Sequence, residues 1–204
     1  SYDARTFFLE QFYPLFFDQN KYMMTAGNSP LENPKLSWDD MIKGKKPFET
    51  PEQRKIRFEK LIKKIEESEA DASIARGYAS LDVAATTSGQ VTDLKLPNSQ
   101  EEIYASWIGD ALGIGVQGGF SILFSNKEIL LDIYEGWKLY RTSLNETTML
   151  KGNQINTWNG QWLSHYYDPR EYDADMPLSG YSPYNTNKDG IINIDTQTWT
   201  KILI

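Results

Sequence analysis

The chain has 204 residues, of which 40% are hydrophobic and 24% charged, with 6 Trp, 12 Tyr, 9 Phe, no cysteine and a net charge of −7. That length fits one large domain or two small ones with a real core, and the aromatic content argues against global disorder. The missing cysteines exclude disulfides, thiolate nucleophiles and Cys-ligated zinc, and no apolar run approaches the ~18 residues of a membrane-spanning helix.

The opening residues SYDARTFFLEQFYPLFF are aromatic but interrupted by Asp3, Arg5, Glu10 and Gln11, which is not a signal-peptide pattern. The chain begins at Ser1 rather than Met, as a processed or trimmed fragment would. Composition favours a soluble chain, with the cytoplasm slightly preferred. The acidic balance argues against a protein whose whole surface binds nucleic acid, but leaves a local basic site open.

In chain order, residues 2–13 read as an aromatic helix with Phe8, Leu9, Phe12 and Tyr13 in phase, bent or ended by Pro14. Residues 26–36 are a Gly/Asn/Pro loop, and Ser37-Trp38-Asp39-Asp40 starts a short helix or turn. Thr50-Pro51-Glu52-Gln53 opens a strong helix, with Thr50 as cap, Pro51 at the first helical position and Gln53 completing a capping box. On that helix Phe58, Leu61, Ile62 and Ile65 share one face, with Arg57, Lys60, Lys63 and Lys64 largely on the other. An acidic run, Glu66, Glu67, Glu69 and Asp71, then frays the end.

Residues 77–96 predict one or two short strands around a Ser88-Gly89 turn. A helix starts near Asn98-Ser99-Gln100-Glu101-Glu102 and runs through Trp107 to about Leu112. Gly113 to Gly119 break it, Phe120 to Phe124 make a buried strand, and Asn126 caps a helix from Lys127 to about Leu144. Trp107, Ile108, Leu112, Ile122, Leu123, Leu130, Leu131 and Trp137 are the expected core. From Lys151 the composition shifts to Asn, Gln, Gly, Trp and Tyr. The expected organisation is therefore a helix-rich α+β core over 1–150, with a loop-rich segment over 151–204 packed upon it.

Charge is the most informative pattern. Residues 43–64 hold nine Lys and Arg against three Glu, a local charge of +6 that leaves −13 on the rest of the chain. Such a dipolar field steers charged partners. Arg57, Lys60, Lys63 and Lys64 on one helix face suit phosphates, and nucleic acid or an acidic protein is the partner this implies. A solvated amphipathic face is the plainer alternative, which composition favours.

Other motifs are weaker. Gly113-Ile-Gly-Val-Gln-Gly118 is a formal G-x-G-x-x-G, but it follows a helix and precedes a strand, the reverse of a dinucleotide-binding fold. Asp132, Glu135 and Lys138 resemble a metal-nuclease set, yet their helical spacing favours a surface ion pair. Asp168, Glu171, Asp173 and Asp175, beside His165, gather carboxylates that a hard cation such as Mg²⁺, or Arg170, would join. An acidic surface loop is the plainer account. Asn185, Asn187, Asp189 and Gly190 match part of a Ca²⁺ loop, although Asn185 replaces the usual Asp and Thr196 the final Glu. An Asn/Asp/Gly turn is the plainer reading. Trp158 and Trp162 among amides suit stacking on sugars or bases, with buried anchors as the alternative. With one histidine and no G-x-S-x-G, a hydrolase triad would have to use His165.

Two functional expectations follow. The first is a nucleic-acid-directed protein, as in a prokaryotic nucleic-acid-processing or defence system. The second is a non-catalytic carbohydrate- or protein-binding module with structural Ca²⁺.

Overall fold

A computed structural model describes residues 2–32, 37–78, 80 and 99–203. The fold is α+β with more helix than strand. The chain divides into two compact units, residues 1–110 and 111–204. The strands expected around Ser88-Gly89 lie outside the described residues.

In the first unit the N-terminal helix is continuous from α1 (Ala4–Phe7) through a π-helical turn (Phe8–Phe12) into α2 (Tyr13–Phe16). The sequence predicts that Pro14 bends or ends this helix. Instead it sits in the first turn of α2, directly after the π turn. A wider turn relieves the clash between a proline ring and the carbonyl four residues back, so the helix passes through. Phe8, Phe12 and Phe16 stack in succession, with ring centroids 5.3 and 4.1 Å apart. Phe17 meets Trp107 edge-on at 5.7 Å. These rings form the core of this unit, together with Met23, Leu31 and Tyr104.

The short α3 (Trp38–Ile42) precedes α4 (Pro51–Glu67), which begins at the expected box: Thr50 Oγ1 accepts from Gln53 N at 3.3 Å, and Gln53 Oε1 accepts from Thr50 N at 2.9 Å. Leu61 and Ile65 are buried and Phe58 stacks on Tyr13 at 3.8 Å, so the apolar face packs inward as its spacing requires. Next comes α5 (Gln100–Leu112), opened by a reciprocal Ser99–Glu102 cap. Trp107 Nε1 donates to Ile74 O at 2.8 Å.

The second unit begins with an antiparallel hairpin, β1 (Ile114–Val116) and β2 (Phe120–Ile122), paired Ile114 to Ile122. Gly118 and Gly119 make its turn at φ +92° and +79°, where other residues are strained. The G-x-G-x-x-G is therefore a helix end and a hairpin. The strand exists, but it is not buried: Phe120 is 70% and Leu123 67% exposed.

The long helix α6 (Lys127–Glu146) has its expected cap, Asn126 Oδ1 accepting from Glu128 N at 2.8 Å. Its buried face is Ile133, Gly136, Trp137, Tyr140 and Leu144. Leu131 falls outside this phase and is exposed, while Ile108, Leu112, Ile122 and Leu130 are half-buried. Trp107 and Trp137 are buried as expected.

The segment after residue 150 is loop-rich as expected, with most of its residues outside helices and strands. It holds α7 (Ile155–Tyr166), the hairpin β3 (Tyr184–Thr186) with β4 (Ile192–Ile194), and the short α8 (Trp199–Leu203). Indole N–H groups lace α6 to α7: Trp158 donates to Gly136 O and Trp162 to Asp132 O, both at 2.8 Å, and Trp137 donates to Asn159 Oδ1 at 3.2 Å. Asn159 is fully buried and donates to Ala111 O and Gly113 O at 2.8 Å each. Asn159→Leu would strip these partners from Ala111 O and a buried indole N–H, and one of two side-chain donors from Gly113 O, which keeps Asn156 Nδ2 at 2.8 Å. It should cost about 3 kcal/mol, read from the denaturant midpoint of the tryptophan signal. A loss under about 1 kcal/mol would show that the network is not a stabilising centre.

Candidate functional site: the basic face of α4

The cations of residues 43–64 do not behave alike. Arg54 is buried and internal: its Nε donates to Asp18 Oδ1 at 2.9 Å, and its Nη1 to Glu49 O at 2.7 Å. Arg57 is half-buried. Its Nε donates to Glu49 Oε1 and its Nη1 to Glu32 O, each at 2.5 Å. Glu49 also accepts from Tyr22 OH at 3.1 Å, and burial, then the Glu49 charge, hold the Tyr22 phenol well above its ordinary pKa. The Arg57–Glu49–Tyr22 group thus ties α4 to the loop before it. Lys64 donates to Ser73 Oγ, and Lys55 lies 3.9 Å from Glu59.

Of the four residues expected to bind phosphate, Lys60 and Lys63 remain as outward cations. Both are exposed, and neither side chain makes a hydrogen bond or ion pair among the described residues. They are three apart on one helix, and so adjacent on its surface. Lys60 also borders a notch of about 450 Å³ beside Gln53, Ile56 and Arg57. A second notch of about 300 Å³ shares Glu49, Gln53 and Arg57 and is bordered by Lys46, itself 3.6 Å from Asp40. Arg57 and Lys64 are thus tied to the fold by their side chains, whereas those of Lys60 and Lys63 point outward.

The other expected sites resolve differently. Asp168 is engaged by Arg170, with Nε–Oδ1 at 3.1 Å and Nη2–Oδ2 at 2.9 Å, and these bonds hold its carboxyl down to about 2. Glu171, Asp173 and Asp175 are exposed on the following turns, where Asp173 Oδ1 caps Asp175 N at 2.9 Å. The four carboxylates do not converge, and among the described residues no three acidic or histidine side chains form a metal set. Arg170 takes the place given to Mg²⁺, because a charge two residues away reaches Asp168 directly.

The Ca²⁺-like segment is the β3–β4 hairpin. Asn185 donates to Asp195 Oδ1, and Asn187 Oδ1 accepts from Asp189 N and Ile191 N at 2.9 Å. Those oxygens serve the turn rather than an ion. Glu135 and Lys138 form an ion pair at 2.7 Å on α6, and Asp132 accepts from Tyr167 OH at 2.6 Å. His165 is buried against Tyr181, its Nε2 2.9 Å from Pro177 O. Trp158 and Trp162 are buried too, so they offer no platform for sugars or bases.

Among the described residues no helix is long and apolar enough to cross a membrane. Comparison with family models, with curated proteins and with solved structures finds no match to this chain.

Proposed function

We propose that this chain is a nucleic-acid-directed protein that grips the phosphate backbone through the exposed face of α4, with Lys60 and Lys63 as the direct contacts. The observation that carries this reading is that the side chains of these two adjacent lysines have no hydrogen bond or ion pair among the described residues, while Arg54, Arg57 and Lys64 are committed to the fold. An ammonium in that state loses little on meeting a phosphate, and each phosphate neutralised releases condensed counterions. Two contacts give weak binding with little sequence preference, since phosphate oxygens carry no base information.

The test is fluorescence anisotropy with a labelled duplex and a labelled single strand of unrelated sequences. The double variant Lys60→Glu/Lys63→Glu should weaken binding to all of them alike, by about tenfold or more at low salt. Its melting temperature should stay close to wild type, because exposed lysines contribute little to stability. Equal binding by wild type and variant would remove this face from the function.

A further inference from the structure

The second unit carries an open groove of about 900 Å³, remote in sequence from the basic helix. Its apolar walls come from Phe124, Ile129, Leu163, Ile202 and Leu203, contributed by the end of the first hairpin, by α6 and α7, and by α8. Leu203 is 56% exposed. Tyr167 borders the groove, fixed by its hydrogen bond to Asp132.

One part of the lining is polar, with Ser164, Asp168, Arg170 and Lys201. Asp168 is held by Arg170 in a bidentate pair. The Lys201 side chain is exposed and makes no hydrogen bond or ion pair among the described residues, and its charge adds to the pull of Arg170 that lowers the Asp168 carboxyl. Glu171 does not line this groove; it lines the adjoining polar notch, which Lys201 also borders. The groove therefore combines apolar walls with two cations, Arg170 and Lys201, against the one carboxylate of Asp168, an excess of one positive charge on its lining. Its size falls in the range of small-molecule sites, roughly 300–1,000 Å³.

We propose that this groove binds an amphiphilic carboxylate, a small molecule with an aliphatic chain of acyl type. The chain lies along Ile129, Leu163, Ile202 and Leu203, and the carboxylate pairs with Lys201. Covering the apolar walls supplies affinity in proportion to area, and the ammonium selects the anion over neutral or cationic amphiphiles of the same length. The site lies wholly in the second unit and is independent of the phosphate-binding face of α4, so the two readings stand or fall separately.

The experiment is titration calorimetry of the full chain with octanoate, butyrate and the neutral octyl glucoside, all below their micelle concentrations. Octanoate should saturate one site, with butyrate and octyl glucoside at least about tenfold weaker. Lys201→Gln should cost octanoate about tenfold and leave octyl glucoside unchanged. Leu203→Ser, at an exposed position that is safe for folding, should weaken both eight-carbon ligands together. Unchanged circular dichroism in each variant separates lost binding from lost fold. The proposal is overturned if octanoate shows no saturable binding, if Lys201→Gln binds it as tightly as wild type, or if a concentration-dependent dimer of the chain excludes it.

Discussion

Replacing Gly136 by alanine should separate α6 from α7 and destabilise the second unit by about 3 kcal/mol or more. A Cβ at this position would lie 2.7 Å from Cγ and Nε1 of Trp162, and closer still to its Cδ1. The ring cannot swing aside without loss, because Trp162 is 1% exposed and its N–H is bonded to Asp132 O at 2.8 Å. Moving α6 instead would stretch the bond from Trp158 Nε1 to Gly136 O itself. Helix propensity works the other way, since alanine is favoured over glycine by about 1 kcal/mol, but the clash is larger. Gly109, a helical glycine of α5, is the control: nothing lies within 4 Å of where its methyl group would stand, so Gly109→Ala should stabilise by up to about 1 kcal/mol. Thermal melts followed by tryptophan fluorescence would read both. A Gly136→Ala protein as stable as wild type would mean that the two helices are not packed this closely.

The second large effect is alkaline. Burial pushes Tyr13 and Tyr22 in the first unit, and Tyr140 and Tyr181 in the second, far above the ordinary phenol pKa. Tyr13 OH donates to Arg54 O and Tyr140 OH to Lys151 O, while Tyr181 OH is buried without a hydrogen-bond partner among the described residues. The sign follows from proton counts. Above about pH 10 the unfolded chain loses these phenolic protons while the folded chain keeps them, so the native state binds more protons and stability falls as pH rises. Below about pH 10 both states are protonated and the contribution is constant. Two such groups in each unit give a slope of roughly 2.7 kcal/mol per pH unit for that unit once the unfolded phenols ionise. Denaturant unfolding between neutral pH and about pH 11.5 would measure it; stability that stays flat across that range would mean that these phenols already ionise in the native fold.

The sequence is most legible where strong local chemistry and helical periodicity agree. Thr50-Pro51-Gln53 and Asn126 fix the starts of α4 and α6 within their own first turns, and such caps need no tertiary information. The inward face of α4 follows from Phe58, Leu61 and Ile65 alone. The helix α7 escapes a reading by composition because Asn, Gly and Gln dominate it. Yet Ile155, Trp158, Asn159, Trp162 and Leu163 recur at helical spacing and are buried, so periodicity holds the signal that composition hides.

Other differences are tertiary. Leu123 and Leu131 are apolar residues left on the surface, which no single-sequence pattern distinguishes from core. Arg54 and Arg57 look identical to Lys60 in a charge count, but Asp18, Glu49 and Glu32 reach them from elsewhere in the chain. The groove of the second unit joins residues near 124, 164 and 202, a convergence invisible before folding.

The proposed grip of α4 on phosphate is tested most directly by the dependence of binding on salt. Affinity of the wild-type chain for duplex DNA should fall with a log–log slope of about −2, from two lysine–phosphate contacts at roughly 0.9 each. In Lys60→Glu/Lys63→Glu that slope should collapse toward zero. No binding by the wild type at low salt, or an unaltered slope in the variant, would contradict the account.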